Sequence, residues 1–366
     1  MKKYTLISFV SGLILFCNCN YLTNSELTPN ITVFKNESYD ELILFTEMDI
    51  KNNGTRIYGI DPTDKTLKKH IHISNLTSVG ADITESGDIV FTSRTDDKLY
   101  ILDEKCEIKQ KVNTVEAPLE PVVIKNKIFV GSTDYNGLNL KIYDANSFKI
   151  LKNCYHMGRF YRMDISRFND EVIISNDHFI SSDVHSKIVK MNINTLDTTG
   201  IIQQRNKYFV DESFSGFAVQ DSMLYAAGIF NEFIAKFNYY NGRQILLRDL
   251  KEIPKIRNLV VANTSYFTMR FPIIYKDYLY MKIDLAPWET DYMAKFDKTN
   301  LSQVKLYRIE DIVEFSEPKN HIYYNNMFVI KYETQVRFIN IETGKCVGKI
   351  ELPVKKGTEP DYPPYN

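Results

Sequence analysis

Seven times along this chain a short apolar run ends on Asp or Asn at a turn: at Asp61, Asp103, Asp144, Asn192, Asn238, Asp297 and Asn340. Typical runs are Ile57-Tyr58-Gly59-Ile60, Leu99-Tyr100-Ile101-Leu102 and Ile234-Ala235-Lys236-Phe237. Successive turn residues lie 42, 41, 48, 46, 59 and 43 positions apart. A period of this length that holds several strands means radial β repetition. The expected fold is therefore all-β, a β-propeller of four-stranded antiparallel blades. Seven blades are expected, with six or eight left open. The 366 residues would ordinarily suggest two or three domains; at about 45 residues per blade, seven blades instead make one closed ring.

The second repeat shows the pattern clearly. Thr77 to Thr84 is the expected inner strand. Asp88 to Ser93 is the next, Lys98 to Leu102 the third, and Cys106 to Val112 the outermost. The third and last repeats read the same way, as meanders with short polar turns. Asp or Asn suits the end of the third strand because its side chain bonds backbone two residues on and tolerates left-handed geometry. A metal-binding ring of these carboxylates is rejected, since one residue per blade at the rim is too dispersed to share an ion. The first repeat is the least regular: Glu41 to Thr46 and Arg56 to Ile60 read as strands, and Ile31 to Phe34 reads as a weak inner strand. The chain ends soon after the last outer strand, so closure is expected to lack the strand exchange that often locks such rings.

Pro121-Val122-Val123, Lys127-Ile128-Phe129-Val130-Gly131-Ser132, Leu99-Tyr100-Ile101-Leu102-Asp103 and Thr343-Gly344-Lys345 resemble the YVTN and PQQ-like propeller repeats. The resemblance runs over about residues 31–352 and speaks to fold far more than to function. It implies no quinone cofactor here: quinoprotein dehydrogenases of that superfamily carry Trp in most blades, and this chain has one Trp. The whole chain also looks like bacterial β-propeller lipoproteins.

The start of the chain is different material. Met1-Lys2-Lys3 precedes an apolar run, Leu6 to Phe16, too short to span a bilayer and suited to a signal peptide. It ends at Cys17-Asn18-Cys19-Asn20, which resembles a relaxed lipobox with Cys19 as the lipidated residue. Residues 1–18 are thus expected to be a lipoprotein-type signal peptide, 19–30 a polar tether, 31–352 the propeller, and 353–366 a mobile, Pro-rich tail. The three remaining cysteines, Cys106, Cys154 and Cys346, fall in outer strands of different blades, too far apart to bridge. A net charge of −1 offers no field for nucleic acid, and membrane contact is expected through the N-terminal lipid alone. A monomer is expected.

No nucleophile elbow, phosphate loop, zinc-protease helix or dinucleotide fingerprint occurs. In repeat folds, insertions concentrated on one face commonly mark the binding surface. Three connections read as long: Asn176 to Ser186, with His178, Asp183 and His185; Lys251 to Phe271, with Tyr266 and Arg270; and Ile283 to Asp291, with Trp288 and Glu289. Two histidines on one loop make no three-ligand metal site, and no metal or other cofactor is expected. His70-x-His72 places both rings on one face of an outer strand, where they read as exposed rim residues.

The densest polar and aromatic cluster is Arg159-Phe160-Tyr161-Arg162-Met163-Asp164, entering the inner strand of the fourth repeat. Two readings stand for its alternating sets: one set lining the channel to bind an anionic or sugar ligand, or charge pairing between neighbouring inner strands. Arg159, Tyr161, Arg162, Asp164, Tyr266, Arg270, Trp288 and Glu289 are accordingly the candidate ligand-binding residues. The functional expectation is a non-catalytic binding scaffold of the bacterial cell envelope, holding a protein, peptide or glycan on its loop face. The alternative is a propeller enzyme acting on a sugar or peptide at the channel mouth; no catalytic residue can be named.

Overall fold

Six of the seven Asp/Asn turns take one hydrogen-bonded form in the computed structural model of the chain, and the turn at Asp103 is a shorter variant of it. The side-chain oxygen of each accepts backbone N–H groups just downstream: Asp144 from Asn146 and Ser147 at 3.1 and 2.7 Å, Asn192 from Asn194 and Thr195 at 2.8 and 3.0 Å, Asn340 from Glu342 and Thr343 at 3.0 and 3.1 Å. Asp61, Asn238 and Asp297 repeat the pattern, and Asp103 accepts from Lys105 and Glu107. The fifth residue of six of these turns is left-handed: Lys65, Phe148, Leu196, Gly242, Leu301 and Gly344. The Asp103 turn is one residue shorter, and Cys106 takes that role with φ 66°. Cys106 therefore lies in the turn, not in the outer strand where the sequence places it. The hydrogen bonds made by Asp144 and Asp297 to the following backbone N–H groups hold both carboxyls below the usual aspartate range.

The structure describes residues 29–37, 41–49, 54–132, 138–155, 163–176, 187–203, 214–228, 233–263, 267–285, 290–309, 320–331 and 334–353. These form seven four-stranded antiparallel sheets, each drawn from one continuous stretch of chain. Blade 1 holds β1 (Asn30–Asn36), β2 (Ile43–Asp49), β3 (Gly54–Asp61) and β4 (Thr66–Ser74). Blade 2 holds β5 (Ser78–Ile83), β6 (Ile89–Ser93), β7 (Lys98–Leu102) and β8 (Ile108–Asn113). Blade 3 holds β9 (Pro118–Ile124), β10 (Lys127–Ser132), β11 (Leu138–Asp144) and β12 (Ile150–Tyr155). Blade 4 holds β13 (Met163–Phe168), β14 (Glu171–Asn176), β15 (Lys187–Asn192) and β16 (Thr198–Gln203). Blade 5 holds β17 (Phe214–Gln220), β18 (Met223–Gly228), β19 (Phe233–Asn238) and β20 (Gln244–Asp249). Blade 6 holds β21 (Phe267–Tyr275), β22 (Tyr278–Leu285), β23 (Thr290–Asp297) and β24 (Gln303–Arg308). Blade 7 holds β25 (Asn320–Tyr324), β26 (Met327–Lys331), β27 (Gln335–Asn340) and β28 (Cys346–Glu351).

Strand alternation explains why the blades stack into a ring. Side chains on a strand point to opposite faces in turn, so each central strand serves two neighbours. Ile89 and Phe91 on β6 pack against blade 1, while Val90 between them packs against blade 3. Phe129 on β10 faces blade 4, and its flanking Ile128 and Val130 face blade 2. The last interface, between blades 1 and 7, joins Phe45 and Tyr58 to Val329 and Phe338. Among the described residues the ring closes by side-chain packing, with no strand exchanged between the first and last blades.

Lysines reinforce several interfaces by reaching into the next blade. Lys190 Nζ donates to the Tyr239 carbonyl at 2.9 Å, and Lys236 Nζ to the Lys298 carbonyl at 3.0 Å. Both acceptors lie just past a blade's Asp/Asn turn residue, so the cation satisfies carbonyls that the turn leaves free. Cys106 and Cys154 are buried, Cys346 is half-buried, and all three are free thiols. Burial pushes the Cys106 and Cys154 thiols up, away from reactive thiolate.

Blade 1 departs from the sequence expectation. Ile31 to Phe34 belongs to β1, which pairs with β4 on the outer edge of the sheet; it is not an inner strand. The order is β1-β4-β3-β2, so β2 lies innermost. β2 sits beside β5 as β5 sits beside β9. Thr55 Oγ1 on β3 donates to the Leu76 carbonyl at 2.9 Å, as Thr92 Oγ1 on β6 donates to that of Leu119 at 2.7 Å. The β2–β3 hairpin has therefore moved one lane inward, and the N-terminal strand fills the lane left open outside. The physical reason is the exposed edge: with β2, β3 and β4 alone, β4 would present unpaired backbone groups beside its buried Ile71 and Ile73.

Two connections also differ from expectation. Lys251 to Phe271 is not an unbroken loop: a 3-10 turn at Leu250–Glu252 leads to α1 (Pro254–Asn263), and β21 begins at Phe267. Pro254 suits the first helical position, while Ile253 and Ile256 anchor the segment in the interface between blades 5 and 6. Ile283 to Asp291 is mostly strand, with only residues 286–289 between β22 and β23. No helix among the described residues is long and apolar enough to cross a membrane.

Candidate functional site

Three consecutive strands of blade 1 each carry a polar pair at alternate positions: Glu47 and Asp49 on β2, Arg56 and Tyr58 on β3, His70 and His72 on β4. Register brings the pairs together. Glu47 lies opposite Arg56, Arg56 opposite His72, and Tyr58 opposite both Phe45 and His70. Because Phe45 and Tyr58 pack on blade 7, this polar face lies in the seam where the ring closes.

Geometry in the seam is tight. Arg56 Nη2 lies 2.5 Å from Asp49 Oδ2. Tyr58 donates its hydroxyl to Glu47 Oε2 at 3.2 Å. Lys331, fully buried at the end of β26, places Nζ 3.7 Å from the same Glu47 oxygen. His72 Nε2 stands 3.5 Å from Asp49 Oδ2, beyond a strong hydrogen bond. His70 is sandwiched between two rings, Tyr58 with centroids 5.0 Å apart and Phe34 at 4.6 Å, both nearly parallel. Burial, aided by the Arg56 charge and by His72, lowers His70 to about 4. Burial also lowers His72, with Asp49 partly opposing it. Burial and the Glu47 carboxylate push the Tyr58 phenol up.

His70 and His72 are thus not exposed rim residues: His70 is buried, because β1 covers the strand that carries it. Two acidic side chains, Glu47 and Asp49, meet two basic ones, Lys331 and Arg56, in the seam as pairs of opposite charge. This arrangement suits closure of the ring rather than catalysis. The signal available in the sequence was three period-two polar pairs in adjacent strands; its meaning depended on the lane each strand occupies.

The candidate binding residues named from the sequence fall elsewhere. Asp164 lies on β13, paired with Ser175, and Arg270 on β21, paired with Lys282. Arg159, Tyr161, Arg162, Tyr266, Trp288, Glu289 and the lipidation candidate Cys19 lie outside the described residues. So do His178, Asp183 and His185, and most of the C-terminal tail. Among the described residues no group of His, Cys, Asp and Glu side chains is arranged to hold a metal ion.

The two faces of the ring are built differently. One face carries the Asp/Asn turns and tight hairpins, such as those at Lys125, Asn169, Asp221, Lys276 and Asn325, each with a left-handed residue. On the opposite face lie the strand ends that bound the longer intervals of chain, Asn176 and Lys187, Gln203 and Phe214, Arg308 and Asn320, together with the segment containing α1.

The architecture is shared with solved structures of low sequence similarity. The chain superposes on BamB from Moraxella catarrhalis with a TM-score of 0.52 at 12% identity, covering 85% of this chain and 91% of that one. It superposes on Kuenenia stuttgartiensis hydrazine synthase with a TM-score of 0.53 at 11% identity, covering 74% and 78% of the two chains. At such identities the likeness establishes the seven-bladed propeller fold. No protein-family model matches the chain, and no curated protein is similar in sequence.

Proposed function

We propose that this propeller is a non-catalytic binding scaffold of the bacterial cell envelope, tethered through a lipidated Cys19. Its repeats are read as YVTN/PQQ-like. The observation that carries the binding reading is the asymmetry between faces: short, stereotyped turns on one side and the longer connections on the other. A rigid ring presenting long connections on one face is the usual arrangement of a recognition surface. The partner is a protein, peptide or glycan, held by residues of that face including Arg270, Tyr266, Trp288 and Glu289, with Arg159, Tyr161, Arg162 and Asp164 at the channel mouth. The N-terminal Lys-Lys start, apolar run and Cys19 support the envelope location.

The test is a paired measurement. Labelled protein and a Trp288→Ala/Arg270→Ala variant are applied to envelope extract and to glycan and peptide arrays. The expected result is capture by the parent chain and loss of at least about tenfold in the variant, as for removal of two interface anchors. Equal capture by both removes this face as the binding surface. Mass spectrometry of the mature N-terminus checks Cys19 lipidation independently.

A further inference from the structure

We propose that β1 is an acid-released strap: protonation of His70 detaches the N-terminal strand from the outer edge of blade 1 while the rest of the ring stays folded.

The attachments of β1 are few. Six backbone register pairs join it to β4, interrupted by a bulge between Val33 and Lys35. Most of its side chains are exposed, and Ile31 alone packs against a core cluster. Asn36 ties the strand's end to Lys69 and, through Nδ2, to the Glu104 carbonyl at 2.9 Å. Ser74 Oγ donates to the Asn30 carbonyl at 3.2 Å. The largest remaining contact is Phe34, 62% exposed, stacked on the His70 ring.

His70 is the joint between strap and core, because its other face lies on Tyr58. Its buried Nε2 makes no hydrogen bond among the described residues. The charged and titratable groups around it are Arg56 and Tyr58 from β3, Glu47 and Asp49 from β2, His72 from β4, Lys35 from β1 and Lys331 from β26. The two carboxylates are engaged by Arg56, Lys331, Tyr58 and His72. A proton arriving on His70 therefore brings a cation next to Arg56 while Glu47 and Asp49 are already engaged, in a site that disfavours charge. On the Tyr58 side the core holds; on the Phe34 side only a strand with little buried surface must move to admit water. Such weakly packed edges open before the whole structure does.

Hydrogen exchange on the full chain tests this across about pH 7 to pH 3, which brackets the ordinary imidazole value and that of His70. Rates are corrected for intrinsic pH dependence. The expected result is a fall of about tenfold or more in protection over residues 30–36 and 66–74, with β6 and β7 unchanged. His70→Phe, which keeps the ring stack and cannot protonate, is expected to abolish the fall. An NMR titration of His70 in the parent chain should have the same midpoint as strap release. Constant protection of residues 30–36, loss shared equally by β6 and β7, an unchanged fall in the variant, or a midpoint unrelated to His70 each overturns the proposal. The parent chain alone decides the matter if the variant does not fold.

Discussion

Arg56 and Asp49 pair diagonally across the β2–β3 hairpin, with Nη2 2.5 Å from Oδ2 and the Asp49 side chain only 1% exposed. A pair so sheltered is costly to break from one side, because the survivor keeps its charge and loses its counter-ion. Arg56→Met is expected to destabilise the fold by about 3 kcal/mol, whereas Arg56→Met combined with Asp49→Leu recovers much of that loss. A double-mutant cycle by chemical denaturation measures the coupling. Strict additivity of the two single changes would contradict the pairing.

The Asp/Asn turns make a more modest prediction. In Asn340→Ala, the N–H groups of Glu342 and Thr343 and the Thr343 hydroxyl lose the acceptor they share at 3.0, 3.1 and 3.1 Å. Because the turn is at the surface, water replaces part of the loss, and the expected cost is about 1 kcal/mol. Asn340→Asp keeps the acceptor and is expected to be close to neutral. Thermal unfolding of both variants checks the ordering.

Two glycines in equivalent turns separate backbone strain from crowding. Gly242 and Gly344 have φ of 68° and 74°. A Cβ at Gly242 meets only ordinary contacts, the nearest at 3.5 Å, so Gly242→Ala is expected to cost about 1 kcal/mol from strain alone. At Gly344 the same atom comes within 2.5 Å of the Tyr307 ring and 2.9 Å of the Arg308 carbonyl. Gly344→Ala is therefore expected to be the more damaging of the two, loosening the interface between blades 6 and 7. Equal effects in denaturant titrations would show that blade 7 yields without resistance.

Asp82 predicts a pH dependence. Its carboxyl on β5 accepts the Val123 N–H of β9 at 2.7 Å and its neighbour Ile83 N–H at 2.8 Å. Burial nevertheless raises it to about 6. Between about pH 4 and that value, the folded chain holds a proton that the unfolded chain has released. Stability contributed by this group therefore falls as pH rises through the window and is fully present only below it. Asp82→Asn, which stays uncharged, removes the dependence. The stability difference between parent and variant, followed by urea titration across that range, should change in the variant's favour as pH rises. A flat difference excludes the shift.

The regular parts of the ring were legible because they repeat. Strand alternation and the Asp/Asn turn are local devices: Asn192 or Asp144 bonds backbone two and three residues on, whatever the rest of the chain does. The irregular parts depended on distant contacts. Helix α1 forms where the sequence suggests only a long loop, held by Ile256 inserting between blades 5 and 6. The candidate residues of the loop face were chosen from connection length and residue type, and of these only the backbone pairing of Asp164 and Arg270 can be set beside that choice.

By itself, the sequence determined the blade, its turns and their sevenfold repetition, since each follows from interactions within a few tens of residues. Tertiary structure alone decided which lane each strand of blade 1 takes beside the closing seam. The alternation of Ile31 to Phe34 is the same for an inner as for an outer strand, so only the open edge of β4 selects the outer lane. With that choice His70 passes from a rim position to a buried, uncharged ring between Phe34 and Tyr58. Burial is a property of the whole assembly, and the protonation state of a histidine follows from burial.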